Sequence, residues 1–294
     1  MSAVPLWAMF GLAAAALSAT QMLLQERFRA EPLPVAFWSK VACALVMLPF
    51  VVIHGMPHNP LYYALLAAQS LLWVVSDVIF YRGINQASAG VISRVLPMAT
   101  ILSFFLWLAI DWTTARAYIA APAHSAAIVA VLCLLAAFAW RLKNCAVTIG
   151  AMRSVWFVLF ASVAGSVSTK YITQQADIGQ GVYAFVFGEA VVMIAMWLLY
   201  YAIKRPLPAS SMFGPRAVRT GMTVGAVAAF ATAATVYAVY HVDNPAYITA
   251  VRYLDSILIL LYYRATGKPS KGHVYAGLGI VACAAALVIL KSGG

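Results

Sequence analysis

The feature that most constrains this chain is a recurring apolar run of about 20 residues, the length an α-helix needs to cross the roughly 30 Å hydrocarbon core of a bilayer. Ten such runs are read along the sequence, approximately at 5–25, 33–53, 60–82, 87–110, 119–140, 150–170, 180–203, 217–240, 245–264 and 273–290. Clusters of proline and polar residues separate them: EPLP before the second, HGMPHNP before the third, KRPLPASSMFGPR before the eighth, DNP before the ninth and GKPSKG before the tenth. The start of the fifth, at APAHSAA, is the least marked. Hydrophobic residues make up 64% of the 294 and charged residues 9%. That is too little polar surface for a soluble domain of this size, whereas a helical bundle in a bilayer turns apolar side chains out to the acyl chains. The predicted fold class is an all-α integral membrane protein of ten transmembrane helices in a single membrane domain, 1–294. Pro5 to Gln25 has no basic stretch before it and is long enough to span, so it reads as the first helix and not as a cleaved signal.

Ten spans invite a search for two halves of five. A shift of 149 residues lays Trp7 on Trp156, Thr20 on Thr169 and Gln25 on Gln174, and sets Lys40 opposite Glu189. Beyond the loop after the second span the shift becomes 158, which lays Arg94 on Arg252; the nine extra residues fall in the longer loop at 204–216. The expected repeats are 1–143 and 144–294. An odd number of spans in each makes the second half upside down relative to the first.

Loop charge tests that arrangement independently. Loops after odd-numbered spans hold Arg27, Arg29, Arg82, Arg141, Lys143, Lys204, Arg205, Arg216, Arg219, Arg264, Lys268 and Lys271, and loops after even-numbered spans hold Arg116 alone. Basic loops stay in the cytoplasm, so odd loops are cytoplasmic and both termini extracytoplasmic. The loop at 54–59 has no Lys or Arg while its counterpart at 204–219 has four. Two inverted halves held in one orientation need such a reversal.

Five plus five inverted spans in this length resemble the drug/metabolite transporter superfamily, in particular its EamA-like bacterial members. The stretch GINQASAGVISRVLPMATILSFFLWLAI resembles that family's third-to-fourth helix signature, and DNPAYITAVRYLDSILILLYYRATGKPSKGHVYAGLGIVACAAALVIL resembles the equivalent end of the second half. AVRYLDSILILLYY is also similar to the ninth helix of the sugar-phosphate and nucleotide-sugar branches, where a basic residue faces the substrate; Arg252 matches it. The family's usual L-G-E acid has Asp111 in its place in LAIDWTT and no counterpart in LYYRATG. The resemblance implies alternating-access transport in a bacterial cytoplasmic (inner) membrane.

Charged side chains inside spans carry the chemistry, because each costs roughly 2.5 to 3.5 kcal/mol at a helix centre unless it is paired or faces a cavity. Six lie well inside: Lys40, Asp77, Arg94, Glu189, Arg252 and Asp255. At 1.5 Å per residue, the first three lie about 8 to 10 Å from the cytoplasmic helix ends and the last three about 10 to 15 Å from the outer ends, so two trios flank the midplane. Three positive and three negative charges favour a zwitterion or an exchangeable ion over a bare cation. Arg252, Arg94 and Lys40 are the candidate substrate ligands, with Tyr237 and Trp73 as stacking partners. Glu189, Asp77 and Asp255 are candidates for ion coupling or gating. Asp255, one turn after Arg252, is expected to hold its guanidinium. Trp156 and Tyr240 have the same stacking option, though aromatic residues near helix ends more often anchor the interface. Lys170 and Arg153, nearer helix ends, are expected to snorkel.

Small residues at four-residue spacing, Gly221–Gly225–Ala229–Ala233 and Gly11–Ala15–Ala19, mark close helix seams. Cys43, Cys133, Cys145 and Cys283 show no ligand spacing, and His54 and His58 in HGMPH are a weak pair, so no metal or other cofactor is expected. Neither H-E-x-x-H nor G-x-S-x-G occurs and no histidine lies deep in a span, which points away from an enzyme. The net charge of +11 fits basic cytoplasmic loops on anionic lipid and not nucleic acid. The partners expected are the lipid bilayer, a small-molecule substrate and a proton or counter-substrate, with the chain a monomer or weak dimer. The reading is a secondary transporter of a small polar metabolite, zwitterionic or anionic; a flippase of a lipid-linked headgroup or a pump for lipophilic drugs is the alternative. A reporter fused after Gly294 that works only outside the cytoplasm should be active, and activity of a strictly cytoplasmic reporter there overturns the orientation.

Overall fold

The computed structural model describes residues 5–95, 98–141, 149–268 and 274–292. The expected repeat boundary at 143/144, Lys143, Cys145, Lys271 and the C-terminal glycine lie outside the described residues, as do the side chains of Arg94 and Arg153. Among the described residues the elements are all helical. They run α1 (Leu6–Phe28), α2 (Pro32–His54), α3 (Pro60–Ala87), α4 (Ala89–Val95), α5 (Met98–Ile110), α6 (Trp112–Ala120), α7 (Pro122–Arg141), α8 (Ile149–Thr173), α9 (Ile178–Lys204), α10 (Ala209–Phe213), α11 (Pro215–Tyr240), α12 (Ala246–Arg252), α13 (Leu254–Ala265) and α14 (Val274–Ser292).

Local chemistry explains the boundaries. Pro32, Pro60 and Pro215 open α2, α3 and α11, where the missing N–H costs nothing. Asn59 caps α3 through the Leu61 N–H, and Asp111 caps α6 through the Thr113 and Thr114 N–H groups. Asp111, aligned above with a family acid, thus has a structural task. Buried Asn244 accepts from the Ala246 N–H at 3.0 Å and donates to the Phe104 carbonyl at 3.4 Å, starting α12 against α5.

Among the described residues, six helical stretches are long and apolar enough to cross a membrane: Leu6–Phe28, Pro32–His54, Pro60–Gln86, Ile178–Lys204, Pro215–Tyr240 and Ala246–Ala265. The pair α6–α7, bent by 108°, makes a seventh if counted as one broken span. With long apolar faces turned outward, such as Leu45, Val52 and Ile53 on α2 and Leu199 and Ile203 on α9, this is a multi-pass membrane protein. The expected fifth run at 119–140 begins instead with α6, which turns sharply into α7 where Pro122 starts a new helix. The described residues of the fourth run form α4 and α5, and the ninth run forms α12 and α13 on either side of Tyr253.

Helices α2 and α9 lie side by side and antiparallel: Phe50 of α2 stacks on Tyr183 of α9 at 5.0 Å, and Lys40 meets Glu189 far down the same seam. On its other side α2 meets α11 at the small-residue stripe. A Cβ added to Gly221 would lie 2.3 Å from the Trp38 Cβ, and one added to Gly225 would lie 2.3 Å from the Ser39 carbonyl oxygen. The same approach brings Gly11 of α1 onto Val251 of α12. Backbone atoms cannot yield as a side-chain tip can. Gly225→Val should therefore destabilise the protein by about 2 to 3 kcal/mol, the usual cost of overpacking, read as earlier thermal unfolding in detergent, with Thr232→Ala on the same helix as the mild control.

Candidate functional site

In an apolar bundle a buried ammonium must find carboxylates, and three helices converge to supply them. Lys40 Nζ of α2 lies 2.8 Å from Glu189 Oε1 of α9 and 3.3 Å from Asp77 Oδ2 of α3. The three side chains are only 14%, 8% and 18% exposed, so the contacts are shielded from water. This differs from the two trios expected at separate depths. Lys40 sits about 12 Å into α2 and Glu189 about 16 Å into α9 from the opposite face, at 1.5 Å per residue, so in antiparallel helices across a roughly 30 Å core they come level.

The triad forms one wall of a central cavity of about 220 Å³. Helices α1, α2, α3, α8, α9, α11, α12 and α13 all contribute to its lining. Six of the eight residues nominated from sequence line it: Lys40, Trp73, Asp77, Glu189, Arg252 and Asp255. The Trp73 ring packs against Gly165 of α8, where an added Cβ would lie 2.3 Å from it. Tyr237 is not part of the lining. It packs on Phe10 at 4.2 Å and on His241 at 4.9 Å, an aromatic cluster on the outer-facing side of α11 relative to the cavity residues Val236 and Val239. Trp156 is 55% exposed, as an outward-facing anchor would be.

Arg252 and Asp255 both reach the cavity but form no ion pair. Between α12 and α13 the span tightens at Tyr253, which keeps right-handed angles (φ −68°, ψ −4°) while its N–H turns to the Ala250 carbonyl, so the pitch between the two residues is not that of a regular α-helix. Asp255 is 3% exposed and accepts from Ser18 Oγ and Ser256 Oγ, each at 3.3 Å. The Arg252 Nε is buried and has no hydrogen-bond partner among the described residues. A buried guanidinium donor left unsatisfied on a cavity wall is what a ligand would complete. Arg94, its expected counterpart, belongs to α4, and its side chain lies outside the described residues.

The sequence reading missed a neutral polar wall. Gln69 of α3 donates to Thr169 Oγ1 at 2.9 Å and accepts from Ser168 Oγ at 2.8 Å, while Ser166 meets Ser103 of α5 at 2.8 Å. The signal was available: Ser162, Ser166 and Lys170 recur at four-residue spacing on α8, with Gly165 and Thr169 beside them. Lys170 is a correction. It does not snorkel; it is 6% exposed and donates to the Val239 and Tyr240 carbonyls at 3.2 and 3.1 Å, satisfying the C-terminus of α11. Glu26 makes a comparable tie at the other end of the bundle, accepting from the Ala89 N–H at 3.0 Å, the Tyr263 hydroxyl and Lys268.

Comparison with known proteins adds fold and no function. No family model matches the chain, and no curated protein matches it. A solved crystal structure, described only as that of a protein, superposes with a TM-score of 0.68 over 98% of both chains at 13% identity. The chain shares that protein's fold.

Removing the shared cation leaves two carboxylates facing each other. Lys40→Met should cost about 3 kcal/mol or more, measured as loss of thermal stability, and adding Glu189→Gln and Asp77→Asn to it should restore most of the loss.

Proposed function

We propose that the protein is a secondary active transporter, working by alternating access, for a small polar metabolite that is zwitterionic or anionic, with proton coupling or exchange as the driving step. The Nε of Arg252, buried at a central cavity and without a hydrogen-bond partner among the described residues, carries this reading. An apolar bundle has no structural reason to keep such a donor, and an anion of the substrate gives it one. The tightened turn at Tyr253 on the same cavity wall agrees, since such a turn inside a helix often marks a functional hinge. The family is the drug/metabolite transporter superfamily, as its helix signatures suggest, in a bacterial cytoplasmic membrane with both termini outside.

The ten-span, two-repeat architecture belongs to the same proposal. Its support is that helix contacts come in matched pairs: α1 with α11 and α8 with α3, α2 with α11 and α9 with α3, α1 with α12 and α8 with α5. Lys40 and Glu189, opposite each other at the shift of 149, are in direct contact.

Uptake into proteoliposomes from a panel of amino acids, phosphorylated sugars and lipophilic cations tests the function. A polar metabolite should be carried, and transport confined to lipophilic cations overturns the substrate class. For the metabolite found, Arg252→Lys should weaken binding about tenfold, because an ammonium cannot replace a two-bond guanidinium grip. Unchanged affinity in Arg252→Lys and in Arg252→Gln removes Arg252 from the site.

A further inference from the structure

The cavity holds three carboxylates, and the structure treats them unequally. Asp77 and Glu189 share the Lys40 ammonium at 3.3 and 2.8 Å. Asp255 has neutral donors alone, Ser18 Oγ and Ser256 Oγ, and no cation within 4.0 Å among the described residues. Its burial leaves an ionised carboxylate with those two hydroxyls and the more distant Arg252 guanidinium as its compensation. Arg252 stands three residues away across the turn at Tyr253, its Nε without a partner among the described residues.

We propose that Asp255 carries the coupling proton and that Arg252 links it to the substrate: the guanidinium compensates either the Asp255 carboxylate or the substrate's anionic group, so that one proton binds with each anion. This inference rests on the transporter reading above and narrows the coupling role from Glu189, Asp77 and Asp255 to Asp255 alone. In the anion-free, deprotonated state Arg252 closes on Asp255. When a carboxylate or phosphate enters, Arg252 turns to it, and an O–H bond forms on Asp255 as one O–H bond of a hydronium ion in the cavity breaks and leaves water. On release the O–H bond breaks, the proton returns to water and the guanidinium goes back. No other bond changes.

The charged and titratable neighbours leave this role open. On α1, Glu26 is engaged by Lys268 and Tyr263 near the helix end. On α14, Lys291 pairs with Asp243, and Cys283 and Tyr275 are neutral groups. On α13 itself, Tyr262, Tyr263 and Arg264 lie two turns or more beyond Asp255. Across the cavity, Lys40, Asp77 and Glu189 satisfy one another beside the Tyr81 hydroxyl, which accepts from Gln21. Tyr253 adjoins Asp255 at the turn, and Arg94 on α4 is the one basic neighbour whose side chain lies outside the described residues.

Linkage gives the sign. If the anion promotes protonation, protonation promotes anion binding by the same factor. Anion affinity is then highest at low pH and falls about tenfold per pH unit once Asp255 has lost its proton in the anion-free protein.

Infrared difference spectroscopy of the full chain in lipid, titrated with pH, reads the proton directly. A protonated-carboxyl band should titrate in the wild type, vanish in Asp255→Asn, and persist in Asp77→Asn and Glu189→Gln. With Asp255 intact, Arg252→Gln should carry the band about one pH unit or more higher, a tenfold change in proton affinity, while Arg94→Gln leaves it in place. Inorganic phosphate and L-glutamate serve as the phosphate and carboxylate probes. At least one should extend the wild-type band to higher pH and fail to do so in Arg252→Gln. A band surviving in Asp255→Asn, a titration that responds to Arg94→Gln and not to Arg252→Gln, or one that moves with neither probe overturns the proposal. Should Asp255→Asn fail to fold, the Arg252→Gln titration decides. The band is measured without any gradient, so its success beside failed proteoliposome uptake sinks the transport reading alone, and transport without the band sinks only this inference.

Discussion

The centre of this protein depends on one ammonium. Lys40 cannot stay buried in an apolar bundle without compensation, and the structure provides it from two directions, α3 through Asp77 and α9 through Glu189. That requirement fixes the relative depth of three helices at once. A slip of α9 by one turn, about 5.4 Å, would strand Glu189 among the apolar side chains of α2. On the far side of α2 a different force operates. Gly221 and Gly225 let α11 approach until backbone meets backbone, a dispersion contact that needs no charge. Helix α2 is thus held ionically on one flank and by close packing on the other, and the cavity opens beside it.

The cavity wall combines polar groups of different cost. The hydroxyls and amides of α3, α5 and α8, Gln69 with Ser168 and Thr169 and Ser166 with Ser103, satisfy each other and keep the three helices in register. They present a neutral, hydrogen-bonding face to whatever enters. Charge comes from α2, α3, α9, α12 and α13: Asp77 of α3 joins Lys40 and Glu189, and Arg252 and Asp255 flank the turn at Tyr253. A ligand with one charged end and a hydroxyl- or amide-bearing body matches that division better than a wholly apolar cation does. Trp73, packed against Gly165, offers the only flat apolar panel among the residues nominated for stacking.

Some of this was legible in the sequence because insertion energetics is local. A charged residue in a 20-residue apolar run is expensive wherever it lies, so Lys40, Asp77, Glu189, Arg252 and Asp255 stood out, and the cavity gathers all five. Four-residue spacing of glycine and alanine marked the α2–α11 seam for an equally local reason. Partner choice is not local. Depth along a helix put Lys40 and Glu189 in different trios because it ignored that antiparallel neighbours bring opposite ends level. The Arg252–Asp255 pairing assumed a regular α-helix, and no proline or glycine announced the tightened turn at Tyr253. Tyr237 and Lys170 were misplaced for the same cause: which side of a helix faces the cavity, and whose carbonyls end beside it, are set by tertiary packing. The bent α6–α7 pair had a sequence signal in Pro122, but a run of hydropathy averages over it.

On the proposed two-fold reading, the contact between Lys40 and Glu189 has a further meaning. Two halves related by an axis in the membrane plane place each residue near that axis against its own counterpart. Like residues there would be intolerable if charged, since two lysines or two glutamates would meet in a low dielectric. The halves must therefore differ in chemistry where they most nearly agree in geometry, and Lys40 facing Glu189 at an offset of 149 residues meets that condition. A contact on the axis changes least when one half rocks against the other. The ties far from it change most: Glu26 to Ala89, Tyr263 and Lys268 at one end, and Lys170 to the Val239 and Tyr240 carbonyls at the other. A central ion triad that persists and polar end ties that can exchange form the division of labour that alternating access demands, because the pivot must stay paired in lipid while the ends open to water that can satisfy whatever they release.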